Sequence, residues 1–143
     1  MQEGAEHQGD ILFQLNMLQD TIRSLQRTLY ALRDYQRDWL LADLLNRPGP
    51  LWLAGLDLRH ANLAQADLRE AILTKANLES ANLEAANLQA AKLVGAILVR
   101  ANLRNANLSY ADLREADLAD ADIRGTDFTG ANLEGIKNLE LNT

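Results

Sequence analysis

The sequence predicts a mainly-β solenoid that is preceded by an α-helical segment. A five-residue repeat that begins at residue 56 predicts the solenoid. An apolar stripe at heptad spacing predicts the helix, and it lies within the first 40 residues. The stretch Asn46-Arg47-Pro48-Gly49-Pro50 separates the two parts, because proline and glycine interrupt both kinds of regular structure.

The composition argues against most catalytic chemistry. The chain of 143 residues contains no cysteine, which excludes disulfides and thiolate chemistry. Its two histidines, His7 and His60, are far apart, and no nucleophile motif or phosphate-binding loop is present. The formal net charge of −6 disfavours contact with a phosphate backbone. We predict no enzyme activity, no catalytic, cofactor or metal site, and no direct nucleic-acid binding.

The first residues predict a cytoplasmic location. The segment 1–9 is polar and acidic, unlike a signal peptide, and we expect it to be disordered. No uncharged apolar stretch reaches the roughly 18 residues that span a bilayer. Membrane binding through the helical segment is disfavoured because its aspartates would meet anionic lipid. Thylakoid association through that segment stays open as an alternative, which co-sedimentation with lipid would test.

Residues 10–47 are predicted to be helical. Asp10 is a suitable N-cap, and no proline or glycine follows before residue 48. Apolar residues alternate at spacings of four and three over about three heptads, with Gln36 as an interruption. The stripe starts at Ile11 and continues through the predicted self-association residues Leu15, Leu18, Ile22, Leu25, Leu29, Leu32 and Trp39.

The length of this segment favours self-association. A continuous helix from residue 11 to residue 46 would be about 54 Å long, at 1.5 Å per residue. A solenoid of four coils is only about 20 Å tall, with strands about 4.8 Å apart, so it cannot cover the whole stripe. We therefore predict a coiled coil or helical bundle between copies of the chain. The alternative is a helical hairpin that caps the first coil. Because terminal repeats need a cover, we expect the open N-terminal end of the solenoid to be capped by Leu40, Leu41, Leu44, Leu45 and Trp52.

After the linker 48–50, the repeat region covers residues 51–135. Sixteen consecutive units run from Leu56 to Gly135, and Leu51–Gly55 is a plausible degenerate first unit. We number the positions of each unit one to five. Position three is always large and apolar, position one is alanine in fourteen of the sixteen, and position two is asparagine or aspartate in thirteen. The residues 136–143 form a C-terminal tail.

The period of five excludes an α-helix, although alanine and leucine favour one. Each successive leucine would turn about 140° further round the helix axis, so no single face could be buried. In a short strand, positions one and three point inward together, and positions four and five can form a turn. Asparagine, aspartate and glycine support such turns. The chain therefore winds into a coil whose repeats share one core.

The tandem A(D/N)LXX units resemble those of the pentapeptide repeat proteins, over Leu51 to Gly135. The resemblance implies a right-handed quadrilateral parallel β-helix with four units in each coil, and hence about four coils. It also implies a bacterial, and especially cyanobacterial, family in which most members have no assigned biochemical role.

One corner of this predicted solenoid carries apolar residues at outward positions. The segment Ala91–Arg100 and its neighbour one coil earlier provide them. Such a cluster indicates a contact surface, for the chain's own helix in cis or in trans, or for a partner. The candidate interaction surface comprises Ile72, Val94, Ile97 and Val99.

These observations predict a non-catalytic protein-interaction or scaffold module that self-associates or docks through its N-terminal helix. The resemblance implies an alternative, since some relatives mimic B-form DNA and bind DNA gyrase, inhibiting it or protecting it from drugs. Charge argues against that alternative. Residues 112–134 hold seven acids and two bases, but residues 51–111 are nearly neutral, whereas a mimic needs a negative face along its whole length.

Overall fold

The computed structural model describes residues 8–24, 45–46 and 48–139. The chain divides into two compact units, Met1–Leu40 and Leu41–Thr143. The first unit contributes the helix α1, residues 8–24, and the second contains the solenoid.

Helix α1 already includes Gln8 and Gly9, which we had assigned to a disordered N-terminus ahead of an N-cap at Asp10. Every residue of α1 is exposed to solvent. Four members of the predicted stripe, Leu25, Leu29, Leu32 and Trp39, lie outside the described residues, as do residues 1–7. Whether the segment 10–47 is one helix or a hairpin therefore stays a prediction.

The solenoid is built from parallel β-bridges that join residues twenty positions apart. The first bridge joins Trp52 to Ile72 and the last joins Asp117 to Lys137. A register of twenty places four five-residue units in each turn, so the coil has four faces. The bridges occur at position two, and the pattern runs unbroken from Leu51 to Gly135. The right-handed sense of the coil stays a prediction from the resemblance.

We name the faces by their first units. Face 1 begins with residues 51–55, face 2 with 56–60, face 3 with 61–65 and face 4 with 66–70. Four complete coils cover residues 51–130. A partial fifth coil covers residues 131–139, so the first residues of the predicted C-terminal tail continue the solenoid.

Each unit makes a bridge of one residue rather than the short strand that we predicted. Among the described residues there is no continuous strand. The backbone N–H of Leu78 donates to the carbonyl of Ile97 at 2.7 Å, and the N–H of Asn77 donates to the carbonyl of Leu56 at 2.9 Å. The bridge is this short because the chain turns a corner immediately after position three.

The corners are β-turns in which the position-three carbonyl accepts from the next position-one N–H, as between Leu78 and Ala81 at 3.0 Å. The residue at position five has a positive φ, the signature of a type II turn. Glycine meets this requirement at five units, yet twelve other residues adopt φ between 55° and 59° here, among them Ala85 and Tyr110. The left-handed conformation is therefore imposed by coil closure and not by the choice of residue.

The core is a stack of leucine and alanine layers. From Leu68 to Leu113 every position-three leucine has no exposed surface, and the position-one alanines between them are at most 1% exposed. Thr126 replaces an inward alanine, and its hydroxyl donates to the carbonyl of Leu103 at 2.7 Å. A buried hydroxyl needs such a partner.

The two ends of this core differ. In the first coil Leu53 and Leu63 are 1% exposed, and Leu45 packs against the core. Trp52, which we expected to cap this end, instead points outward and is 78% exposed. Leu40, Leu41 and Leu44, the other expected caps, lie outside the described residues. At the other end, Ile123, Phe128 and Leu133 are only half-buried. The solenoid is thus closed at its N-terminal end and open at its C-terminal end.

Candidate interaction surfaces

The aspartates at position two form ion pairs within their own units wherever arginine occupies position four. Asp57 with Arg59 and Asp67 with Arg69 are bidentate pairs, with their closest N···O distances at 2.8 and 2.7 Å. The pairs of Asp112 with Arg114 and of Asp122 with Arg124 repeat this geometry in the fourth coil. In the same units the carboxylate also accepts the position-four backbone N–H.

These arginines stabilise the ionised carboxylates. The hydrogen bond from Arg69 lowers the pKa of Asp67 to about 2, and the hydrogen bond from Arg124 lowers that of Asp122 to about 2. The hydrogen bond from Arg114 likewise lowers the pKa of Asp112. Since each pair is neutral overall, aspartate in this pattern adds no net negative charge to its face.

Asparagine at position two supports the turn in the same way. The side-chain oxygen of Asn82 accepts the N–H of Glu84 at 3.1 Å. On face 3 the amides also form a ladder, because Asn102 donates to Asn82 at 3.2 Å and Asn82 donates to Asn62 at 3.5 Å. The amides thereby bond to the fold itself, which makes them structural side chains.

The four predicted surface residues lie on two adjacent faces. Ile72 and Val94 belong to face 1, in the second and third coils, whereas Ile97 and Val99 belong to face 2 in the third coil. Ile97 is 38% exposed and the other three are half-buried. The structure therefore places these residues near one corner, and their role in binding stays a prediction.

Sequence reasoning missed the most exposed apolar side chain near this corner. Trp52 lies directly above Ile72 on face 1, since the two are bridged. The lysines Lys75 and Lys92 belong to the same face in the second and third coils. The spacing of twenty residues between Trp52 and Ile72 was the signal, and it was overlooked because Trp52 was assigned to the cap.

Helix α1 presents the described half of the predicted self-association stripe. Ile11, Leu15, Leu18 and Ile22 are 53%, 49%, 58% and 52% exposed. Their spacing of four, three and four places them on one side of the helix. Among the described residues, none covers this stripe.

The acidic end of the solenoid retains unneutralised charge. Of the seven acids in residues 112–134, only Asp112 and Asp122 form an ion pair with an arginine among the described residues. The hydrogen bonds of Asn138 to Asp117 and of Thr129 to Asp127 lower the pKa of each of these carboxyls. These acids are therefore negatively charged at neutral pH. The remaining members of the cluster are Glu115, Asp120 and Glu134.

Within residues 8–24, 45–46 and 48–139, no group of three or more histidine, cysteine, aspartate or glutamate side chains could hold a metal ion. No helix in this part of the chain is both long enough and apolar enough to cross a membrane.

Comparison with known proteins identifies the repeat region. The family model for pentapeptide repeats matches residues 53–89, 81–118 and 96–135. HetL, a pentapeptide repeat protein involved in heterocyst differentiation regulation from the cyanobacterium Nostoc sp. strain PCC 7120, is 41% identical with a TM-score of 0.59. That match covers 59% of this chain and 39% of HetL. No curated protein sequence matches the chain.

Two other solved structures are similar. Rfr23 from the cyanobacterium Cyanothece 51142 is 40% identical with a TM-score of 0.62, over 64% of this chain and 63% of Rfr23. The protein alr5209 from Nostoc PCC 7120 is 30% identical with a TM-score of 0.61, over 71% of this chain and 87% of alr5209. The chain thus spans less than two thirds of the length of HetL and of Rfr23. All three are pentapeptide repeat proteins, and this chain belongs to the pentapeptide repeat family.

Proposed function

We propose that the chain is a non-catalytic protein-interaction or scaffold module that associates with a second copy through α1. The observation that carries this proposal is the exposed stripe of Ile11, Leu15, Leu18 and Ile22, whose side chains are each about half exposed. Apolar side chains at this spacing become buried when helices pair in a coiled coil.

The solenoid supports the same proposal because it is a rigid framework. Its leucine core is buried within one chain, so its faces present side chains at fixed positions. The apolar corner that includes Ile97 and Val99 provides a second surface to which α1 of another copy could bind in trans. Helix pairing and helix-on-solenoid packing are therefore the two modes to be distinguished.

The decisive experiment measures the molar mass of the full chain by light scattering coupled to size exclusion. We expect an oligomer for the wild type and a monomer for Leu18→Asp, because a carboxylate within a paired stripe would be desolvated. Asn16→Asp is the matched control. It introduces the same charge on a different side of α1 and should leave the oligomer intact.

A second variant distinguishes the two modes of association. Val99→Lys should leave the oligomer intact if helices pair with helices, and should dissociate it if α1 binds the apolar corner. A complex with a Kd of about 1 μM would be largely assembled at tens of micromolar. A wild-type chain that is monomeric at that concentration would contradict the proposal.

The geometry weighs against the alternative of a DNA mimic that binds gyrase. Four of the position-two aspartates are neutralised by arginine in bidentate pairs, including Asp57 and Asp67 in the first coil. The remaining unneutralised cluster is confined to the last coils. A supercoiling assay tests this alternative, and no inhibition at micromolar protein would remove it.

A further inference from the structure

The hydrogen bonds between coils have a direction. Towards the C-terminal end, each unit donates two backbone N–H groups to the next coil, as Leu98 does to Asp117 at 2.7 Å and Arg100 does to Ala119 at 2.8 Å. In return the carbonyl at position one accepts one hydrogen bond from the next coil, as the carbonyl of Ala96 does from the N–H of Asp117 at 3.0 Å. The C-terminal edge of any such coil is therefore rich in donors, and its N-terminal edge is rich in acceptors.

At the C-terminal end of this solenoid, eight such donors have no acceptor among the described residues. Two belong to Asp120 and Asn138, and the other six are evenly placed, with two on each of three successive units. Of these six, the position-three donors belong to Ile123, Phe128 and Leu133, and the position-five donors belong to Gly125, Gly130 and Gly135. Within residues 48–139, no further coil covers this edge.

The apolar layer beneath these donors is also incomplete. Ile123, Phe128 and Leu133 are half-buried, whereas Leu83 and Leu88, which have coils above and below them, have no exposed surface. A group that docks here would cover the apolar layer and accept the free N–H groups in one step.

We propose that this end docks the N-terminal edge of another pentapeptide-repeat solenoid, one whose first coil is uncovered and carries basic residues at positions four and five. Such an edge offers two carbonyls and one N–H for each unit, which matches the donors present here, and it adds a leucine layer at the same five-residue spacing.

The negative charge of the C-terminal end favours a partner with basic residues. The last coils carry five acids that form no ion pair with an arginine among the described residues, namely Glu115, Asp117, Asp120, Asp127 and Glu134. Opposite charge at the rim of an interface accelerates encounter and selects among otherwise similar partners.

A second copy of this chain does not meet these requirements. The leucines of its first coil are already covered, with Leu53 and Leu63 at 1% exposure and Leu58 at 3%. Two C-terminal ends placed face to face would oppose donors to donors and acids to acids. The proposed surface is thus separate from the self-association of α1 and does not depend on it.

The test uses the full chain labelled with ¹⁵N and a solenoid probe. The probe is residues 51–143 with Asp57→Asn, Asp67→Asn and Glu70→Gln, which removes the three acids of its first coil and retains Arg59 and Arg69. Asparagine is the usual residue at position two, so the turns are preserved. The probe also carries Phe128→Lys, which prevents it from stacking on itself.

Hydrogen exchange by NMR reports the docking. We expect the amides of Ile123, Phe128 and Leu133 in the full chain to exchange at least about tenfold more slowly with the probe present, because new hydrogen bonds protect them. Phe128→Lys in the full chain should abolish the protection, whereas Ala64→Lys, at an exposed position on face 3, should retain it. Unchanged exchange with a probe that is folded by circular dichroism would overturn the proposal.

A lengthened chain with four added repeat units tests the proposal if the probe does not fold. Four Ala-Asn-Leu-Arg-Lys units are inserted after Gly135 of the full chain, so that a basic coil is supplied in cis. We expect slower exchange of the same three amides and a higher Tm. Amides that still exchange at the wild-type rate would show that the edge accepts no coil. Docking of the solenoid edge should persist in the Leu18→Asp variant. A variant that no longer self-associates but still docks would show that the two proposals stand or fall separately.

Discussion

Leucines in the two units of this chain have opposite environments. Leu15 and Leu18 of α1 are 49% and 58% exposed, whereas Leu83 and Leu88 of the solenoid have no exposed surface. A five-residue repeat on a four-sided coil directs its leucines into an interior that the same chain encloses. A heptad stripe on one helix has no such interior and needs another helix to cover it. The solenoid therefore folds around its own residues, whereas the apolar stripe of α1 is exposed.

The largest expected effect compares these two environments directly. Leu88→Ala should destabilise the solenoid by about 2–5 kcal/mol, because it leaves a cavity in a fully packed layer. Leu15→Ala should change the unfolding free energy of the solenoid by less than about 0.5 kcal/mol, since it alters an exposed site. Urea denaturation followed by circular dichroism measures both.

Leu133→Ala sharpens the comparison within the solenoid. This leucine is half-buried at the open end, so we expect roughly half the effect of Leu88→Ala, in proportion to the area buried. Equal effects at Leu88 and Leu133 would mean that the last coil is covered in solution.

A smaller effect concerns the turn glycines. Both Gly55 and Gly130 have a positive φ, but a Cβ at Gly55 would meet nothing within 4 Å, whereas one at Gly130 would lie 2.6 Å from the ring of Tyr110. Gly55→Ala should cost about 1 kcal/mol from the left-handed backbone alone. Gly130→Ala should cost more, because the ring of Tyr110 must move as well.

A double-mutant cycle checks this explanation by thermal denaturation. In a Tyr110→Ala background, Gly130→Ala should cost about as much as Gly55→Ala does, roughly 1 kcal/mol, because only the backbone conformation then differs. An unchanged cost for Gly130→Ala in that background would rule out the ring contact as its cause.

The smallest expected effect is a dependence of stability on acid pH. The folded-state pKa values of Asp67 and Asp122 are lowered to about 2, below the unfolded value of about 3.9. Their contribution to stability is therefore present above about pH 4 and is lost as the pH falls towards 2. Since these pairs are solvent-exposed, we expect a shallow decrease of Tm over this range.

Removal of either partner tests the assignment to the ion pair. Asp122→Asn keeps the side-chain oxygen that accepts the Arg124 N–H but loses the charge, and Arg124→Gln removes the guanidinium. Both variants should show a weaker decrease of Tm between pH 4 and pH 2 than the wild type. A decrease identical to that of the wild type would mean that the pair contributes nothing.

Much of the fold could be predicted from the pattern of residues within each five-residue unit. The location of the surface residues was harder to predict. Inward leucine and alanine followed from the period of five. Residue spacing also predicted the location of Ile72 and Val94 on one face and of Ile97 and Val99 on the next, once four units in each coil were assumed. Trp52 was misplaced because it was assigned to the cap, although its place at position two, between the inward Leu51 and Leu53, already indicates an outward side chain.

The sequence by itself determined which side chains share the interior, because alternation along an extended unit is a local property of the backbone. Only the tertiary structure decided the positive φ at residues such as Ala85 and Tyr110, since this arises from closing a coil around four corners. It also decided that the N-terminal end is sealed while Ile123, Phe128 and Leu133 face an incomplete layer. Those outcomes depend on contacts between residues twenty or more positions apart, which no single repeat encodes.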